Sequence, residues 1–290
     1  MKPLFEQITI VGVGLLGGSL AQACRRRGLA GKIVGCGRNR ENIEAAKRQG
    51  LIDEAFTDLP AAARGSDLIV ICTPVGSIAR CARAMIPALR KGCILIDVGS
   101  VKAPVVEEME KALPAGVCFV GTHPIAGSEK SGFAASDPDL FENAKCVVTP
   151  TPNTDRAALG RVTELWQKLG STVLSMDASE HDIVYGAVSH LPHIVAFALV
   201  NTIAGLKTRQ GQVIASYGGN GLKSMSRLAV SEPVMWKDIC IFNKDAVLDI
   251  IERFEDTLDE IKSGIGREEE DYLVKLFTNA RETFEPAFRK

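Results

Sequence analysis

The chain has 290 residues, 46% hydrophobic and 24% charged, enough for about two ordinary domains and inconsistent with wholesale disorder, a collagen repeat or a disulfide-rich miniprotein. Thirty-four Lys+Arg against 35 Asp+Glu leave a net charge of -1, so no general attraction to nucleic acid or to an anionic membrane is expected. None of the eight Cys pairs as CxxC and most lie in apolar runs, which argues against a zinc ribbon and for free thiols in a reducing cytoplasm.

Residues 1–7 show no long apolar core or cleavage signature, and no uninterrupted apolar run reaches about 18 residues, so neither a signal peptide nor a membrane helix is expected. A strand is predicted at Ile8–Val11, followed by a helix to about Arg27. Strand Lys32–Cys36 leads to helix Arg40–Gln49, and strand Asp67–Thr73 to helix Ser77–Leu89, with Ile78, Cys81, Met85 and Leu89 on one face. Then come strand Cys93–Val98, a helix near Pro104–Ala112, strands Val117–Gly121 and Lys145–Thr149, a helix near Thr154–Leu169 and strand Thr172–Ser175. Short apolar strands separated by amphipathic helices predict an α/β protein, a doubly wound parallel sheet covered on both faces.

The pattern changes at Asp177, whose side chain, with Glu180 three residues on, reads as a helix start. Asp182–Leu206 is a long apolar helix that Pro192 should kink. Asn243–Ser263 and Arg267–Phe284 read as amphipathic helices. The expected domains are 1–176, dinucleotide-binding, and 177–290, all-helical. A helix apolar on most faces needs cover on most faces. The short second domain therefore predicts a homodimer through the helical part, unless Ile194–Leu206 is the centre of a monomeric bundle.

Gly12-Val13-Gly14-Leu15-Leu16-Gly17 follows the first strand and opens the first helix, which is GxGxxG in a strand–turn–helix setting. Gly12 permits the tight turn, Gly14 lets the backbone approach a pyrophosphate, and Gly17 lets helix pack on strand. The helix start at Leu15 and Leu16 offers open N–H groups and a positive dipole end to phosphate. After the second strand, where an NAD enzyme would carry a carboxylate for the ribose 2′-hydroxyl, the chain reads Gly37-Arg38-Asn39-Arg40. Arg38 and Arg40 either meet a 2′-phosphate, pointing to NADP or to use of both cofactors, or begin a solvated helix. Thr73 and Pro74 end a strand where a nicotinamide ribose should lie.

Ligands of such sheets bind beyond the carboxyl ends of the strands. Gly99-Ser100-Val101-Lys102 and the loop Thr122-His123-Pro124-Ile125-Ala126-Gly127-Ser128-Glu129-Lys130-Ser131-Gly132 fall there. An imidazole in that place can accept a proton from a hydroxyl near neutral pH. The chain's other histidines are His181, His190 and His193. Ser189-His190-Leu191-Pro192-His193 sets two imidazoles at HxxH spacing, yet no carboxylate or Cys stands nearby at ligand spacing, so no metal is expected. Arg227, after a glycine-rich loop, could clamp a substrate carboxylate or form a surface ion pair.

These segments carry a resemblance. ITIVGVGLLGGSLA, LIVICTPV, ILIDVGSVK, THPIAGSEKSG, AVSHLPHIVAFAL, GGNGLKSMSRLA and SEPVMWKDI occur in order over most of the chain, and together they resemble the prephenate dehydrogenase family, which includes arogenate and cyclohexadienyl dehydrogenases of tyrosine biosynthesis. The resemblance implies a Rossmann domain, a helical dimerisation domain and oxidative decarboxylation of prephenate with NAD or NADP. It further implies His123 as the hydrogen-bond partner of the substrate ring hydroxyl, with Ser100 supporting it. His193, beside Ser189 and His190, would lie toward the substrate side chain. Arg227 would bind a carboxylate, and Glu129, next to Ser128, would be a gating acid. One departure is Gly37, where many NAD-using members have Asp. Prephenate is favoured over arogenate on the expectation that His193 donates to the keto group or carboxylate of the side chain. Rival readings are a 3-hydroxyacid dehydrogenase or imine reductase, for which no matching Lys or Tyr acid–base motif is found, and a non-catalytic dinucleotide sensor, which would need no group like His123.

Overall fold

A computed structural model describes residues 2–127 and 132–288. The strands are β1 (Phe5–Val11), β2 (Ala30–Cys36), β3 (Glu54–Phe56), β4 (Leu68–Ile71), β5 (Ile94–Asp97), β6 (Cys118–Ile125), β7 (Lys145–Thr149) and β8 (Thr172–Ser175). The first helices are α1 (Leu15–Arg26), α2 (Arg40–Arg48), α3 (Leu59–Ala63), α4 (Ile78–Met85), α5 (Ala103–Ala112) and α6 (Arg156–Lys168). After β8 come α7 (Ala178–Tyr185), α8 (Leu191–Ala204), α9 (Asn220–Ser226), α10 (Pro233–Phe242), α11 (Lys244–Gly266) and α12 (Glu270–Phe288).

One sheet runs β3-β2-β1-β4-β5-β6-β7-β8. Its order reverses between β1 and β4, which opens a crevice at their carboxyl ends. Ile8, Ile10, Leu68, Val70 and Ile96 face one buried layer, and Val11, Ile69, Ile71 and Leu95 the other. Strands buried on both faces explain the near-continuous apolar runs.

The structure departs from the expected sheet in two places. β7 runs antiparallel to β6; among the described residues the connection holds only a one-turn 3-10 helix, Phe133–Ala135, and not the α-helix that usually covers a parallel crossover. β6 also continues to Ile125, because β7 pairs with Gly121 through Ile125. His123 therefore stands on a strand, not in the loop expected for it.

The chain divides into two compact units, residues 1–244 and 245–290. Helices α7–α10 belong to the first, where Ala178, Trp236 and Ile239 join the core layer against the sheet, with Phe197 packed beside them. The predicted helix Asp182–Leu206 is broken at Gly186–His190 by a π turn, so Pro192 falls in the first turn of α8, where a missing N–H is tolerated. The helical run Ala178–Ala204 spans 27 residues and is long and apolar enough to cross a membrane. The run is not uninterrupted, as expected from the sequence: it carries His181, Asp182 and His190, which turn inward and are buried. In the second unit, Leu273 and Tyr272 of α12 lie against Gly264 of α11.

Candidate active site

The crevice between β1 and β4 is a cleft of about 760 Å³, lined by Gly12, Gly14, Gly37, Arg38, Thr73 and Pro74 among others. Gly12 has φ +94°, and a Cβ there would lie 2.7 Å from the Cys72 carbonyl oxygen. A Cβ on Gly14 would meet nothing within 4 Å, so that side of the turn is open to a ligand. A Cβ on Gly17 would collide with the Gly12 carbonyl, which makes Gly17 a packing glycine. Leu15, Leu16 and Gly17 do not line the cleft. The first helix has no side-chain cap, so its first amides are left for a bound anion. Thr73 Oγ1 is buried without a hydrogen-bond partner, with the weakly bonding Cys81 thiol beside it. An open glycine turn, an uncapped helix and an orphaned hydroxyl fit a dinucleotide.

Arg38 lines the cleft at the end of β2, and Arg40, the first residue of α2, does not. Arg80 of α4 also lines the cleft, held by a 3.2 Å hydrogen bond to Ser77 Oγ. Nothing in its local sequence marks it. Among the described residues the one carboxylate lining the cleft, Asp238, comes from α10.

His123 lies at the same end of the sheet, on the second strand beyond β4, a lateral step of roughly 10 Å at about 4.8 Å per strand. It does not line the nucleotide cleft. Its Nδ1 is 2.8 Å from His181 Nε2, and His181 Nδ1 is 2.8 Å from Asp182 Oδ1. Asp182 also accepts the amides of Lys102 at 2.7 Å and Ala103 at 2.8 Å. These donors fix the tautomers. The carboxylate can only accept, so His181 Nδ1 carries the proton and its Nε2 accepts. His123 Nδ1 must then donate, which leaves the Nε2 lone pair as that ring's acceptor. Burial, and then the neighbouring His181, Lys102 and His190, push the His123 pKa well below its usual 6.5, so the ring is neutral at neutral pH. Tyr185 packs edge-on to His123, ring centroids 4.9 Å apart.

On the next turn His190 is fully buried. Asn243 Nδ2 donates to its Nδ1 at 3.0 Å, so Nε2 carries the proton. The Ser100 backbone faces this ring but not in hydrogen-bond geometry, and Nε2 has no partner. His193 stacks on Trp236 at 3.9 Å, and its Nδ1 donates to the Ser189 carbonyl at 2.9 Å. Burial lowers its pKa, and the Arg227 cation lowers it further. Neutral His193 therefore presents a bare Nε2, and the expectation that it donates to a keto group is corrected for the neutral ring. The Trp236 indole N–H is buried without a partner. Arg227, exposed, begins the 3-10 turn after α9. Ser128 and Glu129 lie outside the described residues.

The structure thus links these residues as neighbours: His190 beside His123 and Ser100, and His193 beside Ser189 and Arg227. Reading by residue type missed the relay pair His181–Asp182, the buried Asp97–Lys102 pair, Asn243, Trp236 and Arg80. A signal existed for Asp182, a lone charge at the head of an apolar helix, since such a charge must find buried donors. Among the described residues no group of three His, Cys, Asp or Glu is placed to hold a metal.

A strand order that reverses beside a glycine turn, with a neutral imidazole acceptor nearby, is the architecture of the dinucleotide-dependent dehydrogenases. Residues 20–175 match the profile described as prephenate dehydrogenase, nucleotide-binding domain, and residues 177–279 that of prephenate dehydrogenase, dimerization domain. The chain belongs to the prephenate dehydrogenase family. It is 31% identical to the cyclohexadienyl dehydrogenase of Zymomonas mobilis over 96% of this chain and 94% of that one. It is also 31% identical to the prephenate dehydrogenase of Bacillus subtilis, over 97% of this chain and 76% of the relative. The crystal structure of A. aeolicus prephenate dehydrogenase in complex with hydroxyphenyl propionate and NAD+ superposes with TM-score 0.90 at 39% identity, covering 96% of each chain.

Proposed function

We propose that this enzyme oxidatively decarboxylates prephenate to 4-hydroxyphenylpyruvate with NAD or NADP, and that His123 is its proton acceptor. The observation that carries this reading is the His123–His181–Asp182 chain, which supports a neutral ring with an unprotonated Nε2. A dinucleotide bound there would supply the hydride acceptor for the carbinol carbon. Gly12, Gly14, Thr73, Pro74 and the Leu15 and Leu16 amides are the groups suited to hold the dinucleotide. His123 Nε2 accepts the hydroxyl hydrogen bond and holds the proton as carbonyl character develops, while loss of the ring carboxylate as CO₂ restores aromaticity. Ser100 supports that hydroxyl. The unpartnered N–H groups of His190 and Trp236, with Arg227, suit an anionic side chain passing Ser189 and His193. The test is absorbance at 340 nm on adding prephenate with either cofactor; no NADH or NADPH formed with either overturns the reading.

A second reading, use of arogenate as well, is favoured by His193. Its bare Nε2 accepts rather than donates, which suits an ammonium group better than a keto oxygen. Assay of both substrates separates the two.

The cofactor part of this reading is NADP, or both cofactors. It rests on Arg38 and Arg80 lining the cleft where the end of β2 contributes no carboxylate. Gly37→Asp should reverse that balance. A Cβ at Gly37 meets only Ile43, at 3.7 Å, and the backbone is not left-handed, so Asp fits without strain. The NADP-to-NAD ratio of kcat/KM should fall about 10- to 100-fold, the range of one charge-assisted hydrogen bond; an unchanged ratio overturns this part.

The remaining parts concern organisation: a dinucleotide-binding part to residue 176, a helical part from 177, a cytoplasmic enzyme with its eight free thiols, and a homodimer. Ile183 and Val188 on the apolar helical run are 64% and 66% exposed, and a second copy is the cover such a face needs. Light scattering at micromolar concentration should give twice the chain mass; a monomer overturns the dimer.

A further inference from the structure

Lys102 and Asp97 are both completely buried and paired with each other. The pair grips the residue before His123 on both sides. Lys102 Nζ donates to the Thr122 carbonyl at 3.0 Å, and the Thr122 amide donates to Asp97 Oδ1 at 3.2 Å. The Thr122 hydroxyl closes the clasp on the Asp97 carbonyl. Asp97 Oδ2 also takes the Gly99 amide at 2.9 Å. At its other end Lys102 donates its own amide to Asp182 Oδ1, the oxygen that orients His181. One residue therefore touches the strand that carries the base and the carboxylate that sets its tautomer.

Burying two charges is a poor route to stability, since apolar replacements of similar volume are often as stable. The groups around His123 make the ammonium matter. His181 and Tyr185 face it from α7, with Asp182 behind His181, and His190 from the π turn. Cys146 approaches from β7, its thiol pushed up by burial. The Asp182 charge is spread over two amides and His181, and that of Asp97 over Lys102 and two amides.

We propose that Lys102 is the positioning residue of the proton relay: it aligns His123 through Thr122, aligns His181 through Asp182, and keeps both rings unprotonated. This inference rests on the reading of His123 as proton acceptor. A fixed cation disfavours the imidazolium, and Lys102 acts in that direction on both rings. Its removal should raise the pKa of His123 and carry the acid limb of activity to higher pH.

The test compares the wild type with Lys102→Met and with the uncharged pair Lys102→Met/Asp97→Asn, which leaves no lone buried charge. The measurements are kcat/KM against pH and the ¹⁵N NMR titration of His123. In the double variant the acid limb should move up by about one unit, a tenfold change in proton affinity, and the NMR midpoint should move with it. Lys102→Met, with Asp97 uncompensated, should move further. A folded double variant whose acid limb overlies that of the wild type overturns the proposal. Should neither variant fold, Lys102→Gln, which keeps an N–H donor for Thr122 and Asp97 and loses only the charge, takes their place: an acid limb moved to higher pH supports the proposal, and one overlying that of the wild type overturns it. Full turnover in a His123→Asn enzyme would sink the proton-acceptor reading instead, which separates the two failures.

Discussion

His123→Asn should lower kcat by about 10²–10⁴-fold, the usual contribution of a general base, while leaving substrate affinity within a few-fold. Asn is nearly isosteric with the near half of the ring, and its amide can still donate to His181 Nε2, which accepts from His123 at 2.8 Å. What disappears is the second nitrogen, the atom that receives the proton. Because the carboxylate contacts are untouched, the loss falls on kcat and not on KM. Single-turnover kinetics with saturating cofactor check this directly, and near-wild-type turnover removes His123 from the chemistry.

Asp182→Asn should be nearly as damaging without touching the substrate. An Asn amide offers an N–H where the carboxylate offered a lone pair. If that N–H faces His181 Nδ1, the proton of His181 moves to Nε2, and His123 must then accept on Nδ1 and carry its own proton on Nε2. The acceptor becomes a donor. In Ser-His-Asp triads the equivalent change reduces turnover by up to about 10⁴-fold, and a loss of 10²-fold or more is expected here. The Asn carbonyl can still accept an amide from the start of α5, so the protein should fold, with a lower melting temperature. ¹⁵N NMR of the His123 ring reports the tautomer. A folded Asp182→Asn enzyme with wild-type kcat would show that the orientation of His181 is immaterial.

Much of the nucleotide half was legible because its signals are local. Gly12, Gly14 and Gly17 act within one turn, and strands buried on both faces declare themselves as apolar runs. β3 and α3 were missed because Glu54–Phe56 and Leu59–Ala63 are too short to show a period. The direction of β7 is set by what its connection lacks, and residue type does not record that. In the site, His123 was legible from its motif. The groups around it were not, because His181, Asp182, Lys102 and Asn243 enter the network through contacts between residues 53 to 80 positions apart. The same holds for Arg80, which reaches the cleft from the far side of the crevice. The donor sense of His193 was misjudged because it depends on where Nδ1 is anchored, a carbonyl one turn earlier in its own helix.

Helix α10 touches both compartments. Val234 and Asp238 line the nucleotide cleft, while Trp236, between them, lies flat on His193. Asp238 rests so closely on the turn after Pro74 that a methyl group at Gly76 would lie 2.9 Å from its carboxylate. A short rigid rod gripped at two points cannot shift at one without shifting at the other. On the proposed reading, a dinucleotide in the cleft and a substrate beside His193 would bear on the same helix, so occupancy of one compartment would be felt in the other through a single piece of backbone.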